Sequence, residues 1–224
     1  HHARKGRSLR ALAAGLLAAA VACAVWAGQD APQPAQPPAI AYGAGRKVCD
    51  LANKAVTESS GVAVSRRNPG VFWTHNDSGS KPVIYAFDLA GRDLGTWQVR
   101  GAVCRDWEDM ASFSLGGKHW LMLADTGDND RKCKSPCLYV AAEPALDPNR
   151  LPAPAARVMD VAMTIPFFYD DGCQDCEAAA VDPNSRTVLL IAKRNKRIVY
   201  ELPLPGRTPP APLTAKTVAE IKLG

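Results

Sequence analysis

The chain has 224 residues, 47% of them hydrophobic, with 27 Lys and Arg against 22 Asp and Glu for a formal charge of +5. That length and composition allow one domain with a real core and exclude a disordered chain. Arg4, Lys5, Arg7 and Arg10 precede the first acidic residue, so the remainder carries 23 basic against 22 acidic groups, which excludes a basic nucleic-acid-binding face.

Those early basic residues lead into a run of small and apolar residues from Ala11 to Ala27, the charged and apolar regions of a secretory signal, with Val25-Trp26-Ala27 as a cleavage site. At about 17 residues the run is short for a membrane span of about 20. Residues 1–27 are therefore expected to be a signal peptide and the mature protein to be secreted or periplasmic. Ala20-Val21-Ala22-Cys23 also offers a lipid anchor at Cys23 as the alternative. Residues 28–45, built of Pro, Ala, Gln and Gly, lack the large apolar groups needed to order themselves and read as a disordered spacer.

In an exported chain thiols oxidise. Setting Cys23 aside, six cysteines remain. Proximity favours Cys133 with Cys137, Cys173 with Cys176, and hence Cys49 with Cys104, although six cysteines allow about 15 pairings. The spacing of Cys133, Cys137, Cys173 and Cys176 also suits a structural zinc site, the alternative to disulfides, which an oxidising compartment favours.

From residue 46 onward, short runs of β-branched and aromatic residues alternate with Gly, Asn, Asp and Pro turns, and no long helical period occurs. Three segments align as successive four-strand units. Their first strands are Ser60–Val64, Glu108–Ser112 and Glu177–Val181, and their second strands Trp73–Asp77, Leu121–Asp125 and Leu189–Lys193. Third strands, each with a tyrosine, are Val83–Phe87, Cys137–Ala141 and Ile198–Leu202, and the closing strands are Leu94–Val99, Val158–Met163 and Thr217–Lys222. The expected fold is all-β, a β-propeller of four-stranded antiparallel blades at about 58–100, 106–164 and 175–223 within a domain spanning 46–224. Three blades form an incomplete ring, since propellers have about four to eight. Further blades or a partner chain are expected to complete it, and an apolar blade face is expected to be exposed meanwhile.

In an antiparallel sheet the start of the first strand and the end of the second share one edge, and in a propeller the first strand lines the channel. Asp77, Asp106, Glu108, Asp109, Asp125, Asp128 and Glu177 are thereby expected to ring one channel mouth, with Asn76, Asn129 and Asp175 nearby. So many hard oxygen donors fit calcium, and the run Asp125-Thr126-Gly127-Asp128-Asn129-Asp130 has the alternating donors of calcium loops without the EF-hand spacing. Lys193 stands where the other units have an acid; it either pairs with Glu177 or receives the anionic end of a small-molecule ligand. His75 is a candidate general base or an inter-blade packing residue. His75, Glu108 and Lys193 are thus the catalytic candidates. Nucleophile-elbow, P-loop and zinc-protease signatures are absent from the sequence.

The motifs Ser-Gly-Val-Ala, His-Asn-Asp-Ser-Gly, Asp-Trp-Glu-Asp-Met-Ala, Asp-Thr-Gly-Asp-Asn and Asp-Cys-Glu-Ala, spread over residues 58–202, resemble a group of uncharacterised secreted bacterial β-propeller proteins. More distantly they are similar to the SdiA-regulated and esterase-like phytase propellers. The second resemblance implies calcium and a phosphorylated or ester substrate. Three functions are therefore expected to compete. One is binding of calcium and a small ligand at the acidic mouth, another metal-assisted hydrolysis of phosphate or lactone esters, and the third a structural or protein-interaction role.

Overall fold

Twelve strands and no helix make up the computed structural model, which describes residues 43–130, 132, 135–146, 157–193 and 197–221. The signal-peptide and Cys23 readings, and most of the spacer, lie outside the described residues; residues 43–46 have no regular secondary structure. Residues 47–224 form one compact unit. Among the described residues no helix is long and apolar enough to cross a membrane.

The strands fall where the apolar runs put them. β1 (Ser59–Val64), β2 (Val71–Asn76), β3 (Val83–Asp88) and β4 (Asp93–Arg100) form a first antiparallel meander. β5 (Trp107–Leu115), β6 (Lys118–Asp125), β7 (Cys137–Ala142) and β8 (Arg157–Tyr169) form a second. β9 (Cys176–Asp182), β10 (Thr187–Ala192), β11 (Arg197–Pro203) and β12 (Leu213–Ile221) form a third. The first strands of the meanders pack in succession, β1 against β5 and β5 against β9.

The expected separation into independent blades is not what the strands do: all twelve belong to one mixed, unclosed sheet. The reason is the length of β8. Its 13 residues change partner along the strand. Residues 157–160 pair in parallel with β4, residues 161–166 pair antiparallel with β7, and residues 167–169 pair in parallel with β12. One strand therefore stitches the outer edges of all three meanders.

Two hydrophobic cores lie on either side of the second meander. β6 shows why its run Leu121-Met122-Leu123-Ala124 has no polar alternation: Leu121 and Leu123 enter one core with Trp73, Trp97, Trp107 and Met110, whereas Met122 and Ala124 enter the other with Phe167, Leu190, Tyr200 and Leu202. A strand buried on both faces reads as a continuous apolar run. Trp73 and Trp97 meet edge to face at 5.0 Å between ring centroids, an arrangement worth about 0.5–1.5 kcal/mol beyond burial.

The flanking meanders bury only one face. On β1, Ala63 points into the core while Val62 and Val64 are exposed; on β10, Val188 and Leu190 are buried while Leu189 faces outward. The expected uncovered apolar face is thus present at both ends of the stack.

The cysteine pairings expected from proximity are not formed. Cys49, Cys104, Cys137 and Cys176 are free thiols; among the described cysteines Cys173 alone is not. Cys137 and Cys176 face different cores, which keeps them from sharing either a disulfide or a zinc ion, and burial pushes their thiols up to about 11 and about 12. Cys133 lies outside the described residues.

The seam between the first two meanders is closed at one end by Glu143, which is 1% exposed. Its carboxylate accepts from Trp73 Nε1 at 2.8 Å, from the backbone N–H groups of Arg66 and Arg67 at 3.2 Å each, and from the hydroxyls of Ser65 and Ser112. Removing it strands two buried donors, Trp73 Nε1 and the Ser65 hydroxyl, each costing about 1–3 kcal/mol when unpaired. Glu143→Ala is therefore expected to lose about 3 kcal/mol or more, roughly 6–12 °C in melting temperature for a domain of this size, in thermal denaturation followed by circular dichroism. A loss under about 1 kcal/mol would show that the seam does not depend on this carboxylate.

Candidate functional site

The open ends of the first strands and the closing ends of the second strands share one edge, as register shows: Ser59 lies opposite Asn76, Trp107 opposite Asp125, and Cys176 opposite Ala192. Matching backbone bonds tie that edge together. Asp77 N–H donates to Glu58 O at 2.9 Å, Gly127 N–H to Asp106 O at 3.1 Å, and Lys193 N–H to Asp175 O at 2.9 Å.

All three first strands break register at this edge. In the second meander Trp107 pairs with Asp125 and Asp109 with Ala124, leaving Glu108 as the extra residue. In the third, Cys176 pairs with Ala192 and Ala178 with Ile191, leaving Glu177 as the extra one. A β-bulge re-aims the side chain it carries. Glu108 and Glu177 leave the alternation of their strands in this way and meet.

Two groups of carboxylates result, in each of which the potential ligand oxygens lie within 4.8 Å of one another: Asp77, Asp106 and Glu108, and Glu108, Asp175 and Glu177. Glu108 belongs to both. The five residues come from all three meanders and include Asp106, Glu108 and Asp175 at 3–4% exposure. Beneath them Gly127 has no room for a side chain, because a Cβ there would collide with Glu108 Oε1 and the Asp106 carboxylate. The glycine of the Asp-Thr-Gly-Asp run therefore lets the loop close over the acids.

Like charges at this spacing cannot all ionise freely. Burial, and then the neighbouring Glu177, Asp77, Asp106 and Asp175, push the Glu108 carboxyl up to about 8. Lys193 meets the cluster at its rim, with Nζ 2.6 Å from Glu177 Oε1 and 3.4 Å from Asn129 Oδ1, and that bond to Glu177 raises the lysine's own pKa. The lysine thus makes the pairing expected of it.

The other sequence-predicted ligands are placed elsewhere. Asp125 is held by Arg105 at 2.8 Å and accepts the Asp106 N–H at 2.8 Å, so it anchors the strand before Glu108. Asp109 accepts the Ala179 N–H at 2.8 Å and its neighbour's Met110 N–H, bridging β5 to β9. The Asp128 N–H donates to Asp175 Oδ1 at 2.9 Å, and the Asp128 carboxylate accepts the Lys132 N–H at 2.9 Å. Asn76 uses its side-chain oxygen to accept the N–H groups of Thr57 and Glu58 and donates to Ala55 O, which fixes the chain entering β1.

His75 is fully buried, edge-on to Trp107 at 5.5 Å, with Nδ1 3.0 Å from Asn76 O and Nε2 over the bare Cα of Gly61. It sits between the first two meanders and outside both carboxylate groups. Burial lowers its pKa. Asp175, which adjoins the third first strand, proves to belong to the cluster.

No protein-family model and no curated protein matches the chain.

Because the Glu108 proton is retained in the folded state from the ordinary carboxyl range near 4.5 up to about 8, folding binds a proton throughout that interval. Stability from this group is full below the unfolded value and declines as pH rises through about 8. In chelator, the wild-type melting temperature is expected to fall between pH 5 and 9, and Glu108→Gln to fall less, crossing above wild type by several degrees at the alkaline end. Parallel curves would show that ionising Glu108 costs the fold nothing.

Proposed function

We propose that the chain is an exported β-propeller segment whose acidic edge binds calcium, and with it a small anionic ligand. The three meanders are read as blades, joined at their rim by β8, with β1, β5 and β9 lining the channel side. The observation that carries the reading is the convergence of Asp77, Asp106, Glu108, Asp175 and Glu177 from three meanders into two adjoining groups that share Glu108. Burying that many acids is costly unless a proton or a cation neutralises them. An all-oxygen donor set of carboxylates, with no thiolate or imidazole in it, suits calcium, magnesium or manganese and disfavours zinc. The spread of ligands over three loops favours calcium, which accepts irregular geometry where magnesium demands an octahedron. Export rests on the charged and apolar character of residues 1–27, and an extracellular setting would supply the ion. Lys193 at the rim, within reach of Glu177 and Asn129, is the group that would receive the ligand's negative end.

The hydrolase reading draws support from one further feature. A glutamic acid that titrates near neutrality inside a cation-binding cluster is suited to general acid or base work, and Glu108 is the group that would exchange a proton with water or a leaving oxygen. The ester class follows the resemblance to phytase and esterase-like propellers.

A calcium ion held with a dissociation constant near 10 µM would, at about 1 mM, stabilise the fold by about 2.7 kcal/mol, or roughly 5–10 °C. Thermal unfolding in calcium against chelator measures this. Glu108→Gln and Asp106→Asn are expected to abolish the shift, whereas Asp109→Asn is expected to lower the melting temperature yet keep it. A wild-type protein indifferent to calcium would sink the metal reading. Turnover of phosphate monoesters or lactones that is lost in Glu108→Gln would place the protein among hydrolases; a calcium shift with no turnover across such a panel would leave it a binding protein.

A further inference from the structure

At the opposite ends of the same strands, between the second and third meanders, lies a cavity of about 260 Å³. Its walls are apolar: Phe113 and Leu115 from the end of β5, Trp120 from β6, Met163 from β8, and Leu204 beyond β11. One cationic side chain, Arg186, joins them.

Arg186 occupies an unusual position. It immediately precedes β10, and the residues immediately preceding β2 and β6 are Gly70 and Gly117. All three take a left-handed backbone, with φ of 76° at Gly70, 69° at Gly117 and 55° at Arg186. Glycine adopts that conformation without steric cost, whereas an arginine is strained by it. The turn between β9 and β10 therefore carries a long cationic side chain at the point where the other two turns carry none. Its backbone is locked by the Leu204 N–H donating to Arg186 O at 2.8 Å, and its Nε donates to Leu204 O at the long distance of 3.5 Å. Among the described residues no carboxylate lies in ion-pair range of this guanidinium.

We propose that this cavity binds a small amphipathic carboxylate, its apolar body against Trp120, Phe113 and Met163 and its carboxylate on the Arg186 fork. An apolar cleft with one placed polar group is the usual form of a ligand site, and this volume falls just below the range of about 300–1,000 Å³ for drug-sized ligands, which suits a small one. The guanidinium presents paired N–H donors that match a carboxylate in two parallel hydrogen bonds. Local strain retained at a binding group, where glycine would serve the turn better, is the pattern expected of a functional residue. The site is separate from the acidic edge and does not depend on the calcium reading.

4-Phenylbutyrate is a suitable probe, titrated calorimetrically into the full chain in the presence of chelator, so that a bound cation cannot serve as its partner. Wild type is expected to bind it saturably, and the uncharged 4-phenylbutyramide about tenfold or more weaker. Arg186→Gly places the residue used by the other two turns, so it is expected to fold with no loss in melting temperature while losing the same factor for the acid and none for the amide. Met163→Trp, which fills the cavity, is expected to weaken both probes. Equal affinity of wild type and Arg186→Gly for the acid, equal affinity of wild type for acid and amide, or no saturable binding of the acid by wild type would each overturn the proposal.

Discussion

A four-stranded sheet has two faces and can satisfy only its backbone by itself; its side chains must be buried against something else. That constraint governs this molecule. The second meander is covered on both faces and supplies the most completely buried strands, with Leu121, Met122, Leu123 and Ala124 of β6 all at 0–1% exposure. The first and third meanders are covered on one face each. The stacking then dictates where strand ends lie, because stacked meanders with the same strand order bring equivalent ends to one edge. The meeting of carboxylates from three sequence-distant segments follows from the packing of hydrophobic faces, and needs no attraction among the acids themselves.

The acids are held at that edge against their mutual repulsion by local pairing. Asp125 is neutralised by Arg105 and spends its other oxygen on the Asp106 N–H. Asp109 is consumed by the Ala179 N–H of the next meander. The carboxylates that could have been ligands by count are thereby divided into two kinds: those that build the frame and those that the frame leaves facing one another. Glu108 is the pivot of the second kind, shared by both groups, and its retained proton is the physical record of the strain. A cation bound there, as proposed, would compete with that proton, which would link affinity and acidity at this one residue.

Much of this was legible in the sequence, because strand existence, strand order and the sidedness of the edge follow from apolar runs and turn residues. Each of the twelve strands overlaps the run that announced it, β8 extending six residues beyond its run, and the pairing of Lys193 with Glu177 follows from their placement at one edge. Two kinds of feature were not legible. The bulges that turn Glu108 and Glu177 out of their strands shift register by one residue, and a period-two pattern read from side-chain type does not reveal where a strand carries an extra residue. The continuous sheet through β8 was missed for a related reason: a 13-residue strand that exchanges partners looks the same in sequence as a shorter strand with a loop. The cysteines misled through distance along the chain: Cys137 and Cys176 are each near another cysteine in sequence yet are buried as free thiols, one in each core.

The two ends of the interface between the second and third meanders are chemically opposite, and the difference arises from turn geometry. At the end where the first strands begin, the bulges and the Gly127 loop let carboxylates approach closely with no side chain intervening. At the other end, the hairpin turns need a left-handed residue before each second strand, and glycine supplies it twice. Arg186 breaks that pattern in a turn that borders an apolar cavity. A turn under no demand but connection would be relieved by glycine, asparagine or aspartate at this position. That the cation is carried there, over a wall of Phe113, Trp120 and Met163, ties the backbone cost to the side chain's placement and separates it from the folding of the hairpin.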